Sequence, residues 1–286
     1  MTITYQHFQM VPDLIYDIGC NNGDDTDFYL RKGFRVVAVD AAEELCQICR
    51  RRFCKEISER RLEVIYGAVT SSNDKFVDFF INDNFSEWNT CDPYFVERNS
   101  KLGATSHDVR VPAVRISDLF DQYGIPYYMK IDIEGMDIVP LYSLQGRINI
   151  PQFISLELND HDKKLGLEQI LMLGKLGYSK FQFVNQVMRT RMRPPNPARE
   201  GIYANYDPST VSSGLFGSEL GGKWINFDKS IRKFLNLHSR YKLFRDHPLY
   251  SKEGRFGGTV ISKIHNRFNR HIFRDPVSWY DLHAKL

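Results

Sequence analysis

Short apolar runs bounded by polar residues divide the first third of the chain into strand-sized and helix-sized pieces. Residues 14–18 and 35–39 are too short for helices and largely apolar, so they predict buried parallel strands, and residues 62–69 predict a third. Between the first two strands, Asp24 and Asp25 suit the positive end of a helix dipole, and Gly33 suits the end of that helix.

The same alternation returns after residue 126. Residues 127–137 begin as an apolar strand and end in a crowd of polar side chains, and residues 152–158 repeat this pattern. A helix over residues 165–176 and an edge strand over residues 178–186 follow. Strands that alternate with helices predict an α/β fold with a doubly wound, mostly parallel sheet, whose binding sites lie at the carboxyl ends of the strands.

The stretch between these two halves is less regular. Residues 75–82 and 110–114 predict extra strands, and residues 83–108, polar and aromatic, predict an inserted loop over the mouth of a site. An ordinary surface excursion is the alternative for that loop. Residues 212–222 contain four glycines and suit either a loop that closes over substrate or a plain linker.

The first predicted strand runs into a sharp turn between Asp17 and Gly23. Gly19 and Gly23 allow a left-handed backbone and let a ligand approach the main chain, and Asn21 is of the residue type that best tolerates this region among non-glycines. Asp40 ends the second strand, 23 residues after Asp17, where its carboxylate can accept both hydroxyl protons of a ribose. The layout predicts a nucleoside site, although the glycine spacing does not fit the Gly-x-Gly-x-x-Gly pattern that binds a pyrophosphate.

Several motifs carry a resemblance to a known family. The turn resembles the Asp/Glu-x-Gly-x-Gly-x-Gly first motif of class I S-adenosylmethionine methyltransferases, with Asn21 at the middle glycine. Tyr-Asp-Ile-Gly at residues 16–19, Val-Asp-Ala at 39–41 and Lys-Ile-Asp-Ile-Glu-Gly at 130–135 resemble, in that order, the FkbM-type methyltransferases of this class. The resemblance covers about residues 13–228, with an echo at residues 279–283, and implies a seven-stranded Rossmann-like sheet.

Membership of this family implies S-adenosylmethionine as the cofactor and, usually, O-methylation of a hydroxyl group on a sugar, a glycan or a small natural product. The partner would then be a hydroxylated small molecule or a carbohydrate. Asp40 would contact the ribose, Gly67 and Ala68 would border the adenine, and Asp132 and Glu134 would face the methionine end and the acceptor. Carried over by motif, the cofactor-binding residues are Asp17, Gly19, Asn21, Gly23, Asp40, Ala41, Gly67 and Ala68.

An alcohol is a poor nucleophile until its proton leaves, so a base or a metal ion is needed beside the acceptor. His161 is the first candidate base, because it follows a strand within an acidic run that would orient it and raise its pKa. An exposed loop histidine is the alternative interpretation. Asp132, Glu157 and Asp160 could hold Mg²⁺ through oxygen atoms, but Lys130 and substrate hydroxyls could satisfy these carboxylates equally well, so no metal is assigned.

The formal net charge of +3 is unevenly distributed. Residues 229–286 carry 13 Lys and Arg against 4 Asp and Glu, so residues 1–228 carry 25 against 31. Because the sequence shows no helix-turn-helix, zinc-finger or aromatic RNA-binding signature, we favour a solvated arm, a lid or a face for an anionic substrate over nucleic acid. The predicted division is a catalytic domain over residues 1–187, a Pro/Gly-rich loop region covering the site over 188–228, and a basic helical extension over 229–286.

Five cysteines, an odd number, do not make a disulfide framework in a chain of 286 residues, and no apolar run is long enough to span a membrane. With a short polar start and no signal-peptide pattern, a cytoplasmic protein is expected. Two other functions stay open: a nicotinamide-dependent oxidoreductase, which the glycine spacing disfavours, and a non-catalytic module that docks on nucleic acid or an acidic partner. The sequence does not fix the oligomeric state.

Overall fold

The computed structural model describes residues 9–160, 162–206, 213–244 and 279–286. The strands are β1 (Met10–Ile18), β2 (Arg35–Asp40), β3 (Leu62–Tyr66), β4 (Ala68–Val69), β5 (Phe76–Asn82), β6 (Ser106–Val114), β7 (Ile125–Ile131), β8 (Phe153–Glu157), β9 (Lys180–Asn185), β10 (Ile225–Asn226) and β11 (Tyr280–Lys285). The helices are α1 (Asp24–Arg31), α2 (Glu43–Arg52), α3 (Cys54–Ser58), α4 (Pro93–Lys101), α5 (Ile116–Tyr123), α6 (Ile138–Tyr142), α7 (Lys163–Lys175) and α8 (Phe227–Phe244).

Eight of the strands form one sheet in the order β10-β9-β11-β8-β7-β1-β2-β3. The five neighbouring strands β8, β7, β1, β2 and β3 pair in parallel. β11 runs antiparallel to both of its neighbours, β8 and β9, and β10 runs antiparallel to β9. The doubly wound, mostly parallel α/β fold predicted from the alternating pattern is therefore confirmed, with the two-residue β10 as an addition to the seven expected strands.

The strand predicted over residues 178–186 is confirmed as β9, but its predicted edge position is wrong, because β9 lies between β11 and β10. β11 is made by the last residues of the chain and inserts between β8 and β9. Pairing over such a sequence distance leaves no local pattern to read. The end of the chain thus forms part of the sheet rather than of the helical extension predicted for residues 229–286, and the domain boundaries stay predictions.

Helices cover both faces of the sheet. On one face, side chains that alternate along β1 and β2, such as Tyr16 and Val37, pack against α5, α6, α7 and α8. On the other face, the intervening side chains pack against α1 and α2 together with Phe216. Phe216 is fully buried and stacks on Tyr128 with ring centroids 4.7 Å apart, so this part of the glycine-rich segment belongs to the core.

β4, β6 and β5 form a second, three-stranded sheet. The extra strands predicted over residues 75–82 and 110–114 are confirmed as β5 and β6. Residues 62–69, predicted as one strand, are divided at Gly67, because β3 pairs with β2 whereas β4 pairs with β6. The predicted loop over residues 83–108 contains α4, which the Asp92 side chain caps by accepting a hydrogen bond from the Tyr94 backbone N–H at 2.9 Å.

All five cysteines are free, in agreement with the prediction from their number. Among the helices in the described ranges, none is long and apolar enough to cross a membrane.

Candidate active site

A cavity of about 580 Å³ opens where β1, β2, β7 and β8 end, and this volume lies within the range of ligand pockets. The start of the antiparallel β11 reaches the same edge of the sheet, and the turn Ser86–Trp88 and α4 contribute side chains from the inserted region. Parallel α/β sheets bind their ligands at this edge because the loops that leave the strands diverge there.

The turn after β1 has a backbone that its sequence predicts. Gly19, Asn21 and Gly23 all adopt the left-handed region, with φ of 84°, 48° and 84°. A Cβ on Gly19 would lie 1.8 Å from the backbone oxygen of Asp132, so the close approach of the β1 and β7 exits requires glycine at this position. Gly19 and Asn21 line the cavity, which leaves the turn open to a ligand.

Asp40 fixes this turn and also faces the cavity. Its Oδ2 accepts a hydrogen bond from the Asn21 backbone N–H at 2.8 Å, and its Oδ1 accepts one from Ala42 at 2.9 Å. Burial raises the pKa of Asp40, and these two N–H groups act in the opposite direction. Because a carboxylate oxygen has two lone pairs, Asp40 can still accept hydrogen bonds from a ligand. The predicted Ala41, Gly67 and Ala68 line the cavity next to it.

Asp17 departs from the expectation of a direct cofactor contact. Its side chain is fully buried, and it is not among the described residues that line the cavity. One carboxylate oxygen accepts a hydrogen bond from Thr26 Oγ1 at 2.7 Å, and the other lies 3.5 Å from Lys130 Nζ. Burial raises the pKa of Asp17 to about 6, although the Lys130 ammonium opposes this rise. Asp17 supports the floor of the cavity from behind.

Lys130 joins three structural elements at the centre of the site. Its Nζ lies 3.5 Å from Asp17, 3.4 Å from Asp25 and 3.3 Å from Asp132, and its side chain is only 5% exposed. Burial lowers the pKa of Lys130, but the three carboxylates raise it by more, so the net pKa is above its ordinary value and the ammonium stays charged. It holds the exits of β1 and β7 and the start of α1 together.

Asp132, Glu134 and Glu157 form the acidic cluster of the site, with one carboxylate oxygen from each lying within 4.8 Å of the others. Glu134 has a left-handed backbone with φ of 44°, and Arg98 Nη2 lies 3.7 Å from its Oε2. Burial and the nearby charge of Asp132 raise the pKa of Glu134 to about 8. Burial is also the main reason that the pKa of Glu157 is raised, and the nearby charge of Glu134 adds to this effect. A carboxyl group with such a pKa can take up and release a proton near neutral pH.

Asp160, which the sequence grouped with Asp132 and Glu157, is not in this cluster. Asp160 is buried, and its backbone carbonyl accepts a hydrogen bond from His238 Nδ1 at 2.8 Å. His161 lies outside the described residues. The structure therefore brings together Asp132, Glu134 and Glu157. The sequence predicts Asp132 and Glu134 beside the acceptor and, as a separate set, Asp132, Glu157 and Asp160 as possible Mg²⁺ ligands.

Sequence reasoning missed several residues that line the cavity, among them Arg98, Arg189, Trp279 and Asp281. Trp279 and Asp281 lie in the segment at residues 279–283 that resembles the family, and this resemblance could have indicated that they belong to the site. Arg98 lies in α4, where the capping residues Asp92 and Pro93 could have indicated a helix. Arg189 lies in a proline-rich stretch, and no local pattern marks it.

The cavity is strongly acidic. Among the described lining residues, eight are acidic and three are basic, namely Asp24, Asp25, Asp40, Glu87, Asp132, Glu134, Glu157 and Asp281 against Arg98, Lys130 and Arg189. S-Adenosylmethionine carries a sulfonium, an ammonium and one carboxylate, so its net charge is positive. Both the open glycine turn and the sign of the charge therefore fit this cofactor.

Residues 17–191 match the family model of the methyltransferase FkbM domain. Among solved structures, the chain resembles a SAM-dependent methyltransferase from Archaeoglobus fulgidus (12% identity, covering 96% of this chain and 86% of that chain, TM-score 0.38). It also resembles precorrin 8W decarboxylase from Methanobacterium thermoautotrophicum (12% identity, covering 60% of this chain and 68% of that chain, TM-score 0.35). A third similar structure is precorrin-6y C5,15-methyltransferase from Geobacter metallireducens (12% identity, covering 62% of this chain and 70% of that chain, TM-score 0.34). No curated protein matches the chain. Because the family match spans more than half of the chain, the protein belongs to the FkbM family of S-adenosylmethionine-dependent methyltransferases.

Proposed function

We propose that the protein transfers the methyl group of S-adenosylmethionine to a hydroxyl oxygen of a small acceptor such as a sugar, a glycan or a small natural product. The observation that carries this proposal is the cluster of Asp132, Glu134 and Glu157 in the same cavity as the glycine turn. Carboxylates accept hydrogen bonds from hydroxyl groups, and a carboxylate of raised pKa can remove a hydroxyl proton.

In this proposal the cofactor lies along the ends of β1, β2 and β3. The turn from Gly19 through Asn21 to Gly23 lies against the methionine part, and Asp40 accepts hydrogen bonds from the ribose hydroxyls. Ala41, Gly67 and Ala68 border the adenine, because these small residues line the cavity beyond Asp40. Asp17 acts indirectly, by fixing Thr26 and Lys130.

The bound cofactor supplies a methyl group already activated by the sulfonium. The protein's residues then have to hold the acceptor oxygen in line and accept its proton. Alignment alone can contribute roughly 7–11 kcal/mol in well-oriented systems. We assign the proton to Glu134, because burial and Asp132 raise the pKa of this carboxyl to about 8. His161 is the competing base.

Mg²⁺ held by the same three carboxylates is the alternative way to activate a hydroxyl. The metal-free reaction is favoured by the cations already beside the cluster. Lys130 lies 3.3 Å from Asp132, and Arg98 lies 3.7 Å from Glu134. Two of the three carboxylates are thus already paired with cationic side chains.

Methyl transfer from cofactor labelled with ¹³C at the methyl group tests this proposal. The protein is incubated with a panel of sugars, other hydroxylated compounds and matched amines, and the product is identified by the chemical shift of the transferred methyl carbon. We expect an O-methyl product. Exclusive transfer to the amines would show that the acceptor atom has been assigned incorrectly.

A further inference from the structure

Arg189 is a cation in the lining of the cavity. It belongs to the turn Gln186–Arg191 that follows β9, and it takes part in no ion pair among the described residues. Its Nη1 donates a hydrogen bond to the Gln186 carbonyl at 3.0 Å. Its Nε is buried and has no hydrogen-bond partner in the described part of the chain.

The other two cations in the described lining are already paired. Lys130 lies within 3.5 Å of Asp17, Asp25 and Asp132, and Arg98 pairs with Glu134. Arg189 acts electrostatically on Asp281 but forms no ion pair with it. Arg189 is therefore the guanidinium in this described lining that can receive an anionic ligand group.

Contacts of the neighbouring segment place Arg189 beside the start of α1. The backbone N–H and Oγ of Ser213 each donate a hydrogen bond to Asp25 at 2.9 Å. A Cβ on the next residue, Gly214, would lie 3.7 Å from the Cβ of Arg189. Gln186 connects the two segments, since its Nε2 donates to the Ser213 carbonyl at 3.5 Å. Arg189 thus lies near the glycine turn that precedes α1.

We propose that Arg189 binds the α-carboxylate in the methionine part of S-adenosylmethionine. This inference rests on the proposed function only in taking the cofactor to lie along the glycine turn. The carboxylate is the one anionic group of the cofactor, and the acidic cavity repels it unless a cation receives it. A guanidinium suits this task because it presents paired N–H groups to the two carboxylate oxygens. Arg189 is therefore a cofactor-positioning residue.

Decarboxylated S-adenosylmethionine tests the contact directly, because it keeps the sulfonium, ammonium and adenosine and lacks only the carboxylate. In a cavity with eight acidic and three basic side chains, charge alone favours this more cationic compound. We expect the wild-type protein to prefer the intact cofactor by about 10- to 100-fold in calorimetric titration, the range for a hydrogen-bonded charge pair. Equal or tighter binding of the decarboxylated compound overturns the proposal without any variant.

Arg189→Met is then expected to abolish the preference by weakening binding of the intact cofactor without weakening binding of the decarboxylated compound. Arg189→Lys should keep part of the preference. Arg191→Met is the matched control, because Arg191 is exposed on the same turn and is not among the described lining residues. A preference retained in Arg189→Met overturns the proposal and directs Arg189 to an anionic acceptor. If the wild-type protein binds neither compound nor S-adenosylhomocysteine, the cofactor assignment itself fails.

Discussion

The two ends of the cavity are built in different ways. At the end that we assign to the cofactor, from Gly19 to Gly23, side chains fix the backbone, and Asp40 accepts hydrogen bonds from two backbone N–H groups at 2.8 and 2.9 Å. At the end that we assign to the acceptor, Asp132, Glu134 and Glu157 lie close together, and burial and the charge of Asp132 raise the pKa of Glu134 to about 8.

In the proposed function, this difference separates the residues that hold the cofactor from the residues that react with the acceptor. The cofactor end depends on backbone shape, so a change there should disturb folding and binding together. At the acceptor end, carboxyl groups lie close together and Glu134 has a left-handed backbone. Both features lower stability, so selection for stability alone would not retain them. A change there should therefore affect turnover and spare the fold.

The largest expected effect is that of Gly19→Ala. The added Cβ would lie 1.8 Å from the Asp132 carbonyl oxygen, so the β1 and β7 exits must separate. We expect a loss of roughly 2–4 kcal/mol in the free energy of unfolding and no measurable binding of S-adenosylhomocysteine. Gly103→Ala is the matched control, because its φ is 90° and nothing lies within 4 Å of the new Cβ. It should cost only about 1–2 kcal/mol and leave binding intact.

Glu134→Gln tests the acceptor end of the cavity. Removal of a general base lowers turnover by about 10²- to 10⁴-fold, whereas the affinity for S-adenosylhomocysteine should not change. The free energy of unfolding should rise by about 1 kcal/mol at pH 8, because a buried charge is removed. His161→Ala is the decisive comparison. If that variant loses turnover and Glu134→Gln does not, the base is His161.

The pH dependence of turnover follows from the same carboxyl. A general base must be ionised, and the pKa of Glu134 is about 8. Turnover at saturating acceptor should therefore rise about tenfold per pH unit below pH 8 and level off above it. The free energy of unfolding should change in the opposite direction. Because folding raises the pKa of Glu134, the protein loses stability as the pH rises from the pKa of this carboxyl in the unfolded state toward 8. A flat rate profile between pH 6 and 9 contradicts the assignment.

Asp40→Ala sharpens the contrast from the cofactor end. The substitution removes the acceptor for the Asn21 and Ala42 N–H groups and for the ribose, so we expect binding of S-adenosylhomocysteine to weaken by about 10- to 100-fold. Asp13→Ala is the control, because Asp13 is exposed and pairs with Arg35 at 2.8 Å on the surface. Binding that is the same in both variants would remove Asp40 from the cofactor site.

Removal of divalent metal should have the smallest effect. If Lys130 and Arg98 compensate the carboxylates, dialysis against EDTA leaves turnover unchanged. A loss that Mg²⁺ restores would instead assign Asp132, Glu134 and Glu157 as metal ligands.

The backbone of the turn after β1 could be predicted from the sequence because its signals are local. Left-handed residues at Gly19, Asn21 and Gly23 and an acid at the end of β2 are visible within one strand-turn-helix unit. The acceptor end could be predicted only in part, because it combines Glu134 with Glu157, α4 and the antiparallel β11. Neither the insertion of β11 nor the turn that carries Arg189 leaves a periodic pattern, since both depend on pairing between distant segments.

Calorimetric titration of the wild-type protein with S-adenosylhomocysteine and, separately, with NADH tests the central claim most directly. A sulfonium nucleoside lying along Gly19 and Asp40 predicts micromolar binding of S-adenosylhomocysteine and none of NADH. Binding of NADH, or of neither compound, would contradict the assignment of this cavity to S-adenosylmethionine.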